Sequence, residues 1–205
     1  MIAIINYGLG NINAFVNVYK KLGIELKVAT NKNELHGVTK IILPGVGSFD
    51  QAMNMFCQSG MRNMIDEMVL NEDIPLLGIC VGMQMLAKSS EEGKLPGLGY
   101  INAKVRRFEN KEMIDKFDLP HMGWNDVKPI NSSVLFSDLT IKPLFYFLHS
   151  YYFECVSPIN SIAKTDYGGE FTCVTNHKNI YGVQFHPEKS HQNGIQLLKN
   201  FAQLC

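Results

Sequence analysis

Short apolar runs alternate with amphipathic stretches through the first half of the chain. The runs at 2–6, 25–30 and 40–45 are short and contain β-branched residues, a pattern that predicts strands. Residues 12–23 repeat apolar positions at helical spacing and end on glycine, and residues 51–70 form a long amphipathic stretch. Parallel strands joined by crossover helices satisfy this order most economically, so the pattern predicts a doubly wound α/β fold.

The pattern changes beyond Gly93, where short strand-like segments are separated by turns. Such a series predicts an antiparallel extension of the sheet, and residues 194–204 predict a closing helix. No repeat, low-complexity tract or linker interrupts the chain, so we expect a single domain over residues 1–205. The strand-like segments are GYINAKVRRF, LFYFLHSYYFECV, SIAKTDY, EFTCVTNHKNI and YGVQF.

The apolar run from Ile74 to Ile79 ends at a cysteine that stands between two glycines. Gly78, Cys80 and Gly82 give the pattern G-x-C-x-G, and a helical pattern begins directly afterwards. This is the spacing of a nucleophile elbow, which exposes a reactive side chain at a tight turn between a strand and a helix. The alternative is a buried cysteine that acts as a small hydrophobic residue, and the pentapeptide alone leaves both interpretations open.

A cysteine nucleophile needs a base, and the base needs a group that orients it. Of the six histidines, only His186 follows a short apolar strand and has a carboxylate, Glu188, two residues later. Pro187 between them predicts extended backbone, in which residues two apart project to the same side. A strand-end histidine beside a solvated glutamate is the alternative, but the elbow at Cys80 favours a catalytic pair. The order nucleophile, histidine, glutamate differs from that of the α/β-hydrolases.

Composition limits the possible partners and the compartment. The chain has 205 residues, of which 46% are hydrophobic, enough for a sizeable core. Its 19 basic and 19 acidic residues balance and form no long basic block, so we expect no nucleic-acid partner. No apolar window reaches the length of a membrane span, and the N-terminal apolar segment is too short for a signal peptide. Five cysteines without CxxC spacing argue against a disulfide framework and predict a reducing, cytoplasmic location.

Two further patterns bear on cofactors. The segment GLGN at 8–11 lacks the third glycine of a dinucleotide fingerprint, because Asn13 occupies that place. His149, His177, His186 and His191 show neither an HExxH motif nor a paired spacing that would predict a metal site. We therefore expect neither a cofactor nor a metal ion.

The elbow GICVGMQ together with QFHPEKS resembles the class I, or triad, glutamine amidotransferases. Other segments narrow the resemblance to the glutaminase subunits of imidazole glycerol phosphate synthase, which serve histidine biosynthesis. The resemblance covers essentially the whole chain and implies a flavodoxin-like, mostly parallel sheet flanked by helices, with an antiparallel strand extension in the second half. The segments are NYGLGN at 6–11, LPGVGSFDQAM at 43–53, PHMGWN at 120–125, FYFLHSYY at 145–152 and FHPEKS at 185–190.

The resemblance implies roles for individual residues. Cys80 would be the nucleophile, His186 the general acid and base, and Glu188 the carboxylate that orients it. The backbone N–H groups of Val46 and Val81 would form an oxyanion hole. The residues implied to bind glutamine are Gln84, Ser150 and Tyr151, and those implied to face a partner are Asn11, His121, Trp124, Asn125, Tyr146 and Lys189.

The implied reaction is hydrolysis of glutamine to glutamate and ammonia. In water near neutral pH the ammonia would mostly become ammonium, which is not nucleophilic, so it must reach its acceptor through a dry passage. No acceptor-binding domain is visible in 205 residues. The resemblance therefore implies a heterodimer with a (β/α)8-barrel cyclase subunit that makes imidazole glycerol phosphate and aminoimidazole carboxamide ribotide.

Three other functions stay open from the sequence. One is a glutaminase that feeds ammonia to a different synthase, such as one acting on a surface sugar. Another is an independent cysteine hydrolase of γ-glutamyl or peptide bonds, which the segments HMGWN and FLHSYY disfavour. The last is a catalytically silent binding subunit, which the complete set of Cys80, His186 and Glu188 disfavours.

Overall fold

The computed structural model describes residues 1–108, 118–140 and 142–205. The strands are β1 Ile2–Ile5, β2 Leu26–Ala29, β3 Lys40–Gly45, β4 Leu76–Cys80, β5 Ser89–Ser90, β6 Ala103–Arg107, β7 His121–Asp126, β8 Lys128–Pro129, β9 Leu144–His149, β10 Tyr151–Cys155, β11 Ser161–Asp166, β12 Glu170–His177 and β13 Ile180–Val183. The α helices are α1 Ile12–Lys21, α2 Phe49–Gln58, α3 Arg62–Leu70, α4 Val81–Met85 and α5 His191–Leu204. Short 3₁₀ helices cover Lys32–Leu35, Val134–Phe136, Pro158–Asn160 and Pro187–Lys189.

The central part of the main sheet is parallel and carries the strands that the short apolar runs predict. Its order is β2-β1-β3-β4-β13, and all four neighbouring pairs run parallel. Every residue of β1 and β4 is buried, as expected for strands covered on both faces. Gly45 at the end of β3 lies opposite Cys80 at the end of β4. The predicted α/β fold with a mostly parallel sheet and flanking helices is confirmed.

An antiparallel extension continues the sheet from β13 through β12 and β10 to β6, as the second half of the sequence predicts. One segment differs from that prediction. The sequence pattern places YGVQF among the antiparallel strands, but its strand, β13, pairs parallel with β4 and antiparallel only with β12. The physical reason is that β12 has already reversed the chain direction, so the hairpin returns β13 in the direction of β4. The residues after β13 are thereby delivered beside Cys80.

The amphipathic stretch 51–70 is divided into two helices, α2 and α3. Between them, Gly60 has a φ of 71°, a left-handed conformation that ends a helix readily at glycine. Ser59 also bonds back to the carbonyl of Phe56 at 2.6 Å. The closing helix α5 begins at His191, three residues before the predicted start at Gly194.

Strands β7 and β9 form a separate two-stranded antiparallel ribbon. Its inner face carries Phe145 and Phe147, both fully buried. Its outer face carries large apolar side chains that stay exposed, namely Met122, Trp124, Leu144 and Leu148. We call these four residues with Tyr146 the outer ribbon face. In the described part of the chain, no helix combines the length and the apolar character that crossing a membrane requires.

Candidate active site

Cys80 stands at the turn between β4 and α4, where the G-x-C-x-G pattern predicts an elbow. Its backbone has φ 54° and ψ −113°, an unusual conformation for a residue with a side chain. The neighbouring glycines make the turn possible, since a Cβ atom on Gly82 would lie 2.0 Å from the carbonyl oxygen of Leu43. A Cβ on Gly78 would lie 2.7 Å from the carbonyl oxygen of Gly82. The predicted strand-to-helix turn is confirmed.

His186 and Glu188 are joined by a hydrogen bond of 2.8 Å between Nδ1 and Oε1. Their side chains are only 5% and 2% exposed. The prediction that extended backbone brings them together is wrong, because Pro187 begins a 3₁₀ helix and the turn folds the glutamate back onto the imidazole. Ser190 fixes this turn by donating its hydroxyl to the carbonyl of His186 at 2.6 Å. The backbone N–H of His186 is held by the carbonyl of Tyr146 on β9 at 2.8 Å.

The surroundings of His186 favour the protonated imidazole. Burial lowers its pKa, but hydrogen bonds with Cys80 and Glu188 and the negative charges of both partners outweigh that effect and raise the pKa to about 10. Among the described residues, no group hydrogen-bonds Oε2 of Glu188, although this atom is buried. His186 therefore holds a proton between the sulfur of Cys80 and the carboxylate of Glu188.

A cavity of about 290 Å³ opens in front of Cys80 and His186. Glu188 is not part of its wall and lies behind His186. The structure thus brings the residues implied for the oxyanion hole and for glutamine binding to one place. The implied residues that line the cavity are Val46, Val81, Gln84, Ser150, Tyr151 and Lys189.

Gln84 presents a defined end of its amide to this cavity. The Nε2 group donates to the carbonyl of Tyr151 and to Oε1 of Gln184, both at 3.2 Å. Since both amide hydrogens are engaged, Gln84 offers its acceptor oxygen to a ligand. The side chain itself is buried, which makes this orientation rigid.

Glu92, which the sequence did not indicate as a site residue, also lines the cavity. Its Oε2 accepts the backbone N–H of Phe49, the first residue of α2, at 2.8 Å. Burial raises the pKa of Glu92, and the nearby charge of Asp50 acts in the same direction, while the bond from Phe49 opposes them. No motif identified this residue, because it stands in a polar turn beside a second glutamate.

A pair of buried histidines lies beside the cavity. His149 Nδ1 donates to the carbonyl of Tyr151 at 2.8 Å, so its Nε2 must accept from His121 Nδ1 at 3.0 Å. His121 Nε2 in turn accepts from Asn125 Nδ2 at 3.3 Å. Burial lowers the pKa of His121 to about 4 and that of His149 to about 3, so both rings are neutral near pH 7.

The residues implied to face a partner fall into two groups. Trp124 is 46% exposed on the outer ribbon face, Asn11 is exposed before α1, and Lys189 Nζ lies 5.7 Å from the ring centre of Tyr146. His121, in contrast, is only 2% exposed and stacks between Phe147 and Tyr167. Asn125 is half-buried and donates to the carbonyl of Asp166 at 2.8 Å. His121 and Asn125 therefore lie behind the surface that Trp124 occupies.

All five cysteines are free thiols. Within the residues that the structure describes, no group of three or more His, Cys, Asp or Glu side chains is arranged to hold a metal ion.

Comparisons with known proteins agree with this geometry. The profile of the family described as "Glutamine amidotransferase class-I" matches residues 3–204. The chain is similar to "Imidazole glycerol phosphate synthase subunit HisH" of Bdellovibrio bacteriovorus, with 56% identity over 100% of both chains. It is 50% identical to the protein of the same name from Leptospira interrogans, again over 100% of both chains. A solved glutamine amidotransferase shares the fold with a TM-score of 0.74 at 20% identity, over 98% of this chain and 96% of the other.

Proposed function

Because the chain belongs to the class-I glutamine amidotransferases, we propose that it hydrolyses glutamine at Cys80 and supplies the ammonia to a cyclase subunit of imidazole glycerol phosphate synthase. The observation that carries the proposal is the placement of Cys80 at a strained elbow beside the His186–Glu188 pair. The named relatives support histidine biosynthesis as the pathway. Residues 1–205 would act as one catalytic domain.

In the first step, the Cys80 thiolate attacks the carboxamide carbon of glutamine. The ordinary pKa of a thiol is about 8.5, so a cationic neighbour is needed to favour the thiolate. Protonated His186 provides that charge and then gives its proton to the leaving nitrogen. Ammonia departs and a γ-glutamyl thioester remains on Cys80.

The developing oxyanion needs hydrogen-bond donors directed at it in the transition state. We assign this role to the backbone N–H groups of Val46 and Val81, two residues that line the cavity together with Cys80. One such donor contributes ~2.7–4 kcal/mol to transition-state stabilisation in a comparable protease. Neutral His186 then removes a proton from water, and the resulting hydroxide hydrolyses the thioester to glutamate. Glu188 keeps the imidazole in position through both steps.

The α-ammonium and α-carboxylate of glutamine require groups of opposite character. Gln84 offers an acceptor oxygen and Glu92 a carboxylate, which together suit the ammonium group. Ser150 connects β9 to β10, Tyr151 is the first residue of β10, and both line the cavity. We assign them to the rest of the amino-acid moiety of glutamine.

This assignment of Glu92 predicts a selective effect on binding. Glu92→Gln keeps the shape of the side chain but removes its charge, so the KM for glutamine should rise by about tenfold while kcat changes little. Steady-state glutaminase assays over a range of glutamine concentrations measure both parameters. An unchanged KM would remove Glu92 from the substrate site.

The partner is proposed to dock on the outer ribbon face. Its four exposed apolar side chains lie beside the cavity, since Leu148 belongs to both. An apolar surface of this kind is typical of a protein interface. Covering it would also seal the cavity from water, which ammonia transfer requires.

The test combines the purified chain with the candidate cyclase and follows glutamine-dependent formation of imidazole glycerol phosphate. Cys80→Ala should abolish glutamine hydrolysis and glutamine-dependent product, whereas added ammonium salts at elevated pH should restore product formation. Full glutaminase turnover by Cys80→Ala would refute the nucleophile. Glutaminase activity without product would instead assign the ammonia to a different synthase.

A further inference from the structure

We propose that Gln184 is a further catalytic residue, whose side-chain N–H donates to Cys80 Sγ and stabilises the thiolate. The proposal rests on the proposed function, because it deepens the role given to Cys80. Gln184 Nε2 lies 3.9 Å from Cys80 Sγ, and the Gln184 side chain is 0% exposed. The residue belongs to the QFHPEKS segment, in which the sequence analysis assigned roles only to His186, Glu188 and Lys189.

The orientation of the Gln184 amide follows from its partners. The carbonyl of Tyr151 can only accept, so the atom of Gln84 that faces it at 3.2 Å must be the NH₂ group. The same NH₂ group contacts Gln184 at 3.2 Å, so the contacted atom must be Oε1. The other end of the Gln184 amide, which faces Cys80, is therefore a donor. One backbone carbonyl thus determines the polarity of two buried amides.

The Tyr151 carbonyl is itself held from a second side. It accepts His149 Nδ1 at 2.8 Å as well as Gln84 Nε2. His149 is fixed by His121, and His121 by Asn125. A continuous chain of hydrogen bonds therefore extends from Asn125 on strand β7 to the sulfur of Cys80. Each member is held by the next, so the donor at the sulfur has little freedom to turn away.

The contact is weak with a thiol and strong with a thiolate. A neutral sulfur is a poor acceptor, so the fully buried N–H is incompletely satisfied while Cys80 is protonated. Ionisation makes the same contact charge-assisted and shortens it. The thiol also has a competing partner, because its S–H donates to the carbonyl of Leu148 at 3.8 Å. Gln184 acts against that contact and favours the ionised form.

Other charges near Cys80 influence the ionisation of its thiol, some favouring the thiolate and others opposing it. The proton on His186 favours the thiolate, and the carboxylate of Glu92 in the cavity wall opposes it. The pKa of Tyr7 is raised by burial and by the charge of Cys80, so Tyr7 stays neutral. The titratable groups that surround the sulfur are His186, Glu188, His149, Tyr7, Glu92 and Lys189. Variants at Gln184 leave all of these groups in place.

The experiment follows the pH dependence of Cys80 alkylation by iodoacetamide. Peptide mass spectrometry separates Cys80 from the four other thiols. Gln184→Met removes the donor and keeps the side-chain length, so the midpoint of the alkylation profile should move upward by about one pH unit. Gln184→Glu places acceptor oxygens at the sulfur and should move it further in the same direction. At neutral pH, single-turnover thioester formation should fall by about tenfold.

Asn200→Asp is the matched control for replacing a buried amide. Asn200 is 2% exposed in α5 and donates to the carbonyls of Leu135 and Ser137. This variant should lose thermal stability but keep the alkylation midpoint of the unmodified chain. A Gln184→Met variant with lowered stability and an unchanged midpoint would show that Gln184 is only structural.

A measurement on the unmodified chain covers the case in which the Gln184 variants do not fold. The side-chain ¹⁵N–¹H signals of Gln184 should titrate with the same midpoint as Cys80 alkylation, and this titration should be lost in Cys80→Ala. Signals that are insensitive to pH in the unmodified chain would overturn the proposal. The alkylation and NMR readouts do not depend on glutamine turnover, so glutaminase activity in Cys80→Ala would refute the proposed function but would not test the contact between Gln184 and Cys80.

Discussion

At the scale of single residues, Cys80 combines backbone strain with chemistry. A residue with a side chain at φ 54° costs of order 1–3 kcal/mol and persists only where its surroundings fix it. Here the surroundings are the crowded glycines of the elbow and the close packing of β3 against α4. The strain is therefore part of how the sulfur is presented to His186. The residues around the sulfur carry out the other catalytic roles.

His186→Asn should be more damaging than Glu188→Gln. Histidine moves the proton in both acylation and hydrolysis, whereas the glutamate orients it through the 2.8 Å bond. We expect His186→Asn to lower the rate of thioester formation at least tenfold more than Glu188→Gln does. Single-turnover measurements with labelled glutamine give these rates directly. Equal losses in the two variants would contradict this division of roles.

The titration of His186 gives a prediction for pH dependence. Its folded-state pKa of about 10 lies above the ordinary value of about 6.5, so its contribution to stability is complete below about pH 6.5 and is lost as the pH rises toward 10. Cys80→Ala removes one of the two partners that raise the pKa, so the NMR midpoint of the His186 ring should fall. The stability loss between pH 7 and 10 should shrink with it. A midpoint near 6.5 in the unmodified chain would contradict the expected pairing.

At the scale of elements, the site depends on how tightly the end of β3 approaches the start of α4. A Cβ on Gly45 would lie 2.4 Å from the backbone nitrogen of Gly82, and a Cβ on Gly82 would lie 2.0 Å from the carbonyl oxygen of Leu43. Both obstacles are backbone atoms, which cannot move aside as a flexible side chain can. The two glycines set the distance between Val46 and Cys80, and with it the shape of the cavity.

Gly82→Ala should therefore destabilise the chain by at least ~3 kcal/mol and abolish glutaminase activity, since overpacking alone costs ~1–3 kcal/mol. Gly60→Ala is the control. Gly60 has a φ of 71° but open space around it, so only a backbone cost of ~1–2 kcal/mol is expected, with activity retained. Urea unfolding compares the two variants. Similar stability losses would show that the elbow relaxes around an added methyl group.

At the scale of the whole molecule, the partner can control glutamine turnover through the 45–47 backbone beside the active site. An unpartnered glutaminase would waste glutamine, so turnover should be low until the synthase holds its acceptor. Gly47 has a φ of 83° next to Val46, and the preceding carbonyl, that of Pro44, is held by the hydroxyl of Tyr7 at 2.8 Å. We propose that the 45–47 backbone exchanges a carbonyl for an N–H that faces the site, with the liganded partner favouring the N–H.

This backbone exchange predicts an order of glutamine turnover among the isolated chain, the complex and the liganded complex. The isolated chain should be slowest, the complex faster, and the complex with acceptor ligand fastest. One oxyanion donor accounts for roughly 10²–10³ in rate, so a larger activation would include closure of the cavity as well. Trp124→Ala on the outer ribbon face should reduce activation while leaving turnover of the isolated chain unchanged. An isolated chain as fast as the liganded complex would contradict gating and favour an independent hydrolase.

The sequence alone determined the features that depend on local patterns, namely the strands of the parallel sheet, the elbow at Cys80 and the pairing of His186 with Glu188. The short apolar runs identified the strands of the parallel sheet, most clearly β1 and β4, where burial on both faces leaves few polar positions. The elbow at Cys80 followed from glycines at fixed spacing, and His186 with Glu188 from a carboxylate two residues after a strand-end histidine. These signals are local, since each reflects what one turn or one strand needs from its own residues.

Tertiary structure decided the other features of the site, because those features depend on pairing between segments that are distant in the sequence. Only the hairpin of β12 and β13 made the last strand parallel to β4, and that pairing delivers His186 to Cys80. Glu92 reaches the cavity through a bond to α2 that no spacing predicts. The burial of His121 could not be predicted from the sequence either. Whether a strand residue faces a partner or the core depends on which other segments cover each face of the strand. Gln184 meets Cys80 for the same physical reason: side chains on neighbouring parallel strands converge at the carboxyl edge of a sheet whatever their separation in the chain.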